Sequence, residues 1–320
     1  MSLDRLITAI VAKQNPTVAG LDPKLEYVPD FIKCKAFDKY GETLKGAAKA
    51  ILEYNKGLID ALCGIVPAVK PQAAYYEMYG WQGMKTLYKT QEYAREKGMY
   101  VITDGKRNDI GATMEAYATA HLGKVKVGSE EFEPFIADAL TVNGYLGTDG
   151  IKPLLKVCND YDKGIFVLAK TSNPSSGELQ DKCINRVPVY EQLAKMSTIW
   201  GKELPGKYGY CGVGIVAGAT YPEQIAELRK KFPKLFFLVP GYGAQGASAK
   251  DIAAAFDKNG LGGIVNSSRG IMCAYKKENC DETDYAGAAY REAIRMRDEI
   301  MGFVGEIKLP KQRAPKKNAE

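Results

Sequence analysis

The stretch Asp104-Gly105-Lys106-Arg107-Asn108-Asp109-Ile110-Gly111 follows directly on the apolar run Tyr100-Val101-Ile102-Thr103. Side chains alternate along a strand, so Asp104 and Lys106 are expected on one side of it, with Asp109 just past its end. A lysine beside two carboxylates keeps its proton, because opposite charges favour the ionised form. Lys106 therefore reads as a proton donor or electrostatic clamp and as a poor amine nucleophile. Lys70 ends another apolar run, and with it four alternating charges are expected to converge in one pocket. A carboxylate facing a substrate carboxylate repels it and favours loss of carbon dioxide. A neighbouring ammonium then stabilises the carbanion left behind and protonates it. Such chemistry needs neither a metal nor an organic cofactor.

Short apolar runs that end in polar residues or glycine recur along the chain. The predicted strands are 17–21, 68–71, 100–104, 139–143, 165–170, 214–217, 236–240 and 263–266. Amphipathic segments lie between them, at 42–62, 83–97, 189–202, 222–232 and 249–258, and 283–303 closes the series. Strand-then-helix units without an internal break predict a single-domain (β/α)8 barrel, a TIM barrel, over residues 1–307. A doubly wound open sheet would be expected to carry G-x-G-x-x-G after its first strand, and Gly20-Leu-Asp-Pro is not that. Leu3, Leu6, Ile7 and Ile10 share a face and predict an extra N-terminal helix under the barrel, with Ser2 as its N-cap. Residues 22–41 and 123–138 exceed ordinary loop length and are expected to be insertions with short helices of their own.

In a barrel, active-site groups belong at the C-terminal ends of the strands. Asp22, Lys70, Gln72, Asp104, Lys106 and Asn143 all fall there, and the fifth strand ends in Lys170-Thr171-Ser172-Asn173-Pro174. The seventh runs into Gly241-Tyr-Gly-Ala-Gln245-Gly246 and the eighth into Ser267-Ser268-Arg269-Gly270. Loops after strands seven and eight are where barrels usually hold phosphate. The glycines permit close backbone approach, Gln245 offers an amide donor and Arg269 a planar guanidinium fork. The ligand is expected to be a phosphate ester.

Bulk properties exclude other classes. The chain has one histidine, His121, so multi-histidine metal sites are ruled out, and no G-x-S-x-G elbow accompanies it. His121 is expected to pack or face solvent. Seven cysteines, scattered and without a C-x-x-C pair, fit reduced thiols in a cytoplasmic protein. No apolar run is long enough to span a bilayer, and membrane contact is not expected. The net charge is +6, but much of it sits in 308–320, where five cations face one carboxylate with Pro310 and Pro315 interleaved. That segment reads as a disordered, solvated tail rather than a nucleic-acid surface.

Asp104-x-Lys106-x-x-Asp109-Ile-Gly, Gly20-Leu-Asp22-Pro and Lys70 together resemble orotidine 5′-phosphate decarboxylase, in the longer branch of that family. Lys-Thr-Ser-Asn-Pro at 170–174, Pro240-Gly-Tyr-Gly-Ala-Gln245 and Ser268-Arg269-Gly extend the resemblance from about Gly20 to Ile271. It implies decarboxylation of orotidine 5′-monophosphate to uridine 5′-monophosphate, the last step of pyrimidine nucleotide synthesis. By that likeness Lys106 protonates C6 of the pyrimidine, Asp104 faces the departing carboxylate, and Lys70 holds Asp104 and the ribose hydroxyls in register. Asp22 would bind ribose, Thr171 and Ser172 the base, and Gln245 and Arg269 the phosphate. Gln72, Thr113 and Ser268 complete the implied substrate-binding set, Gln72 standing where a shorter amide is expected. The resemblance also implies a homodimer in which Asp109 and Thr113 reach the neighbouring subunit's site.

Two rival chemistries are weaker. Metal-dependent sugar-phosphate enzymes of the same superfamily hold magnesium with an acidic residue on the second strand, where this chain has Lys70. A Schiff-base aldolase needs a neutral lysine, and paired carboxylates push Lys106 the other way. A non-catalytic nucleotide sensor or RNA-binding barrel would have to rely on the basic tail.

Overall fold

The computed structural model describes residues 2–243 and 246–310. Eight parallel strands close into one barrel: β1 (Thr17–Leu21), β2 (Ala68–Pro71), β3 (Tyr100–Arg107), β4 (Ala139–Val142), β5 (Gly164–Lys170), β6 (Val213–Ala217), β7 (Phe237–Val239) and β8 (Gly263–Ser267). They pair in sequence order, and β1 closes the ring against both β2 and β8, with Val18 opposite Ala68 and Asn266. Strands covered on both faces read as unbroken apolar runs rather than alternations, and β1, β2, β4, β6 and β8 are buried throughout. That is why short runs without clear periodicity still marked the barrel in the sequence.

Amphipathic helices wrap the ring. Leu44–Leu62 starts where the Thr43 hydroxyl accepts the Gly46 amide (3.1 Å), and it buries Ile51, Tyr54, Leu58, Ile59 and Leu62 against the strands. The expected bottom plug is present as Ser2–Lys13, with Leu3, Leu6, Ile7 and Ile10 packed beneath Val18, Ile102, Phe166 and Ile264. Burying such side chains stabilises the fold by about 1.5–3 kcal/mol each. Ser2 does not cap this helix from outside. It lies within it, and its hydroxyl donates to the Asp138 carbonyl (2.9 Å) and meets the Tyr100 hydroxyl (2.6 Å).

The two insertions differ. Residues 22–41 carry the expected helical pieces, Leu25–Tyr27 and Asp30–Tyr40. Residues 123–138 instead form an antiparallel hairpin, Val125–Val127 against Glu130–Phe132. Gly128, at φ 64°, takes the left-handed turn position that an L side chain disfavours. A second small hairpin, Cys183–Ile184 with Val187–Pro188, follows β5. At the C-terminus Ile307 is buried and the Lys308 amide bonds to the Asn259 carbonyl, while 311–320 lie outside the described residues. Among the described residues no helix is long and apolar enough to cross a membrane.

His121 closes the helix Gly111–Leu122 and stacks on Phe135 with ring centroids 5.2 Å apart. Burial, helped by the charge of Arg107, pushes its imidazole down to about 4. The unfolded chain, at about 6.5, therefore binds this proton first. The stability tied to neutral His121 is complete above pH 6.5 and lost as pH falls toward 4, by about 1.4 kcal/mol per unit. A His121→Phe variant is expected to show a shallower loss of denaturant stability than the native chain between pH 6.5 and 4.5. Parallel profiles would contradict this.

Candidate active site

Two neighbouring strands deliver the charged groups to the C-terminal rim, and a third adds a hydroxyl. Lys70 Nζ of β2 lies 2.8 Å from Asp104 Oδ2 of β3, and Lys106 Nζ lies 2.7 Å from Asp104 Oδ1. Thr141 of β4 donates its hydroxyl to the same Oδ1 (2.8 Å) and accepts the Lys106 backbone N–H (3.0 Å). Simple alternation does not account for the Lys106 direction. Thr103 pairs with Leu140 and Arg107 with Val142, so three residues of β3 oppose the single Thr141. Lys106 itself is left-handed at φ 48°, a conformation that costs a residue with a Cβ about 1–2 kcal/mol. The bulge swings Lys106 back over Asp104.

The two lysines are not equivalent. The Lys70 side chain is 4% exposed and that of Lys106 45%, so Lys70 backs the carboxylate while Lys106 is the ammonium a ligand meets. Burial works against the Lys70 charge, yet Asp104 and then Asp22 hold its proton more tightly than in a free lysine. Burial likewise opposes the Asp104 charge, but Lys70 and Lys106 overcome it and keep the carboxyl well below the usual carboxylate range. The outcome is a carboxylate kept ionised through the neutral range, between a buried and an open lysine.

This cluster floors a cleft of about 680 Å³ that also admits Asp22, Thr171, Ser172, Ser268 and Arg269. Leu168, Val216 and Leu238, one from each of β5, β6 and β7, line an apolar side with Pro240. Asp22 Oδ1 and Asn266 Oδ1 are buried with no hydrogen-bond donor among the described residues. Buried acceptors of this kind are costly unless a ligand hydroxyl or N–H answers them. The Asn266 amide donates to Ser268 Oγ (3.2 Å). Gly20 makes room for that turn, since a Cβ there would stand 1.9 Å from Ser268 Oγ. Gly241 (φ 103°) brings the backbone of the loop after β7 to the cleft.

Other sequence expectations fall elsewhere. Gln72 is half-buried beside Asp104 in a backbone bridge and does not line the cleft. Asp109 and Thr113 also lie outside it, Asp109 accepting the Ile110 N–H (2.8 Å) and Thr113 exposed, so three of the four expected charges converge within this chain. Gln245 lies outside the described residues. Lys170 turns away to Asp181 (2.7 Å) and the Tyr221 ring (4.2 Å). Asn143 accepts the Tyr145 N–H. Sequence reasoning missed Thr141 and Asn266, whose only signal was a polar residue inside an apolar strand. It also missed Gln180, whose side chain accepts the Thr171 N–H (2.8 Å) and donates to the Thr171 hydroxyl (2.7 Å), clamping that loop.

Fold and cluster together define a (β/α)8-barrel protein organised around a Lys–Asp–Lys triad at its C-terminal rim. The chain belongs to the orotidine 5′-phosphate decarboxylase / HUMPS family, whose family model matches residues 40–282. It is 43% identical to an orotidine 5′-phosphate decarboxylase of Rhodopirellula baltica over 302 residues, covering 93% of this chain and 98% of that protein. It is 41% identical to the enzyme of the same name from Caldicellulosiruptor bescii, covering 93% and 97%. Its fold is similar to the solved structure of OMP decarboxylase from Leishmania donovani, with a TM-score of 0.69 and 30% identity over 93% of this chain and 98% of that one.

Proposed function

We propose that this protein decarboxylates orotidine 5′-monophosphate to uridine 5′-monophosphate. The observation that carries the reading is Asp104, held ionised between buried Lys70 and open Lys106. The apolar side of the cleft suits a pyrimidine ring, the unanswered acceptor of Asp22 suits a ribose hydroxyl, and Arg269 suits the phosphate. In that pose the C6 carboxylate faces Asp104. Repulsion raises the ground state and is relieved as the C6–carboxyl bond breaks, carbon dioxide leaves and the electron pair stays on C6. The Lys106 ammonium stabilises that pair and then gives C6 its proton, and the resulting amine is reprotonated from water. A divalent cation at this point would sit against two ammonium groups, so the donor set favours the metal-free course.

The test is ultraviolet absorbance with orotidine 5′-monophosphate and excess chelator. Conversion that survives chelation is expected. No conversion, or conversion only with added magnesium, would move the protein to the sugar-phosphate side of its family.

The phosphate grip has its own signature. Binding energy at a remote phosphate can be realised in the transition state at C6. Arg269→Ala is expected to lower kcat/KM for orotidine 5′-monophosphate by about 10²-fold and that for phosphate-free orotidine by less than about threefold. Equal losses on both substrates would remove Arg269 from the phosphate.

We further infer a homodimer working in the cytoplasm. Ile110 and Thr113 are exposed beside the rim and Asp109 stays out of its own cleft, which suits residues offered to a neighbouring site. The seven cysteines are free thiols, which suits a reducing compartment. Sedimentation as a monomer at micromolar concentration would count against the shared site.

A further inference from the structure

A second cavity, of about 480 Å³, lies directly behind the phosphate end of the cleft. Tyr242, Ser267 and Arg269 border both spaces, so the second cavity shares a wall with the end of the cleft where Arg269 lies. The walls are cationic. Lys276, Lys277 and Arg295 join Arg269 there, against the single carboxylate of Glu292. Arg295 and Glu292 neutralise each other through contacts of 2.6 and 2.7 Å, and Arg295 also pairs with Glu299, so the charge left for a ligand is that of the two lysines. Glu278, on the same short helix as the two lysines, is turned away to Arg291. Lys276 is steadied by the Glu26 carbonyl, and both lysines are exposed. The first phosphate of a nucleotide would therefore have further positive charge beyond it. A protein that needed to hold only a monophosphate has no call for a cation-walled space on the far side of its phosphate residue.

We propose that this cavity is a subsite for phosphate beyond the first. The protein binds pyrimidine nucleoside 5′-diphosphates and 5′-triphosphates with the nucleoside and first phosphate in the substrate cleft and the remainder beside Lys276 and Lys277. Such nucleotides then act as competitive inhibitors, so compounds made later from the product restrain its formation. This inference rests on the nucleotide reading of the cleft proposed above.

The test is calorimetric titration of the full chain with uridine 5′-monophosphate and uridine 5′-diphosphate, in chelator, alongside inhibition of orotidine 5′-monophosphate turnover. The diphosphate is expected to bind about tenfold more tightly than the monophosphate, through charge-assisted contacts to the two lysines. Salt should weaken the diphosphate more, because exposed charges are screened. A Lys276→Ala/Lys277→Ala double variant should erase the tenfold preference and leave monophosphate affinity and KM within about twofold. A diphosphate that binds no better than the monophosphate overturns the subsite, as does a preference that survives the double variant. Those results leave the decarboxylase reading standing. Absence of both monophosphate binding and turnover would instead remove that reading, and the subsite with it.

Discussion

Replacing Lys106 by alanine is expected to lower kcat/KM for orotidine 5′-monophosphate by at least about 10³-fold. The variant loses both the proton donor, worth about 10²–10⁴ in rate, and an ammonium aimed at the developing charge, worth about 10²–10³. These overlap because one group does both, so the floor lies well below their product. Folding should be little affected. Alanine keeps a Cβ and so meets the same left-handed backbone cost at φ 48° as lysine does. The side chain removed is 45% exposed, and Asp104 keeps Lys70 and Thr141 as partners. Steady-state kinetics beside a thermal melt would check both halves. A loss smaller than tenfold would mean that another group protonates C6.

Asp104→Asn is expected to act differently, on stability and on both kinetic constants. Asparagine places an N–H₂ group where the carboxylate received Lys70, Lys106 and Thr141. Lys70, 4% exposed, then keeps Asp22 as its carboxylate neighbour. Removing one partner of a buried ion pair costs about 3–5 kcal/mol, and Asp22 offsets part of it, so a loss of about 2–4 kcal/mol in denaturant unfolding is expected. The pH sign follows from the direction of the Asp104 shift. Its carboxyl is held below the unfolded value of about 3.9, so its contribution is complete above pH 4 and decays only as pH falls further. The variant's deficit should therefore be constant from pH 5 to 8. In kinetics, kcat should fall by about 10²-fold or more while KM also falls, because the substrate carboxylate would enter a site with two ammonium groups and no repelling charge. An unchanged KM would argue that Asp104 does not face the departing carboxylate.

Much of this was legible in the sequence, and the reason differs by element. Parallel strands buried on both faces must be short apolar runs, and their order along the chain leaves a barrel as the simplest closure. Residues placed at the ends of those runs then share one rim, which is why Asp22, Lys70, Asp104, Lys106, Ser172 and Arg269 could be grouped before any contact was known. The hairpin at 125–132 was not legible as such, because three-residue strands carry too little periodicity to tell from a helical turn.

What the amino-acid sequence determined by itself is the inventory and its coarse placement: two lysines and a carboxylate on adjacent strand ends, glycines where the backbone must come close, and an arginine beside them. The tertiary structure decided the direction of each side chain. The bulge that sets three residues of β3 against Thr141 returns Lys106 to Asp104, whereas Lys170, also at a strand end, turns outward to Asp181. Strand alternation is a local rule, but a bulge and the choice of ion-pair partner depend on which neighbouring strand or loop lies opposite. Burial of Lys70 behind the carboxylate and exposure of Lys106 before it depend on the closed ring as a whole. That difference in solvent access, invisible in a string of residues, is what assigns one lysine to hold charge and the other to deliver a proton.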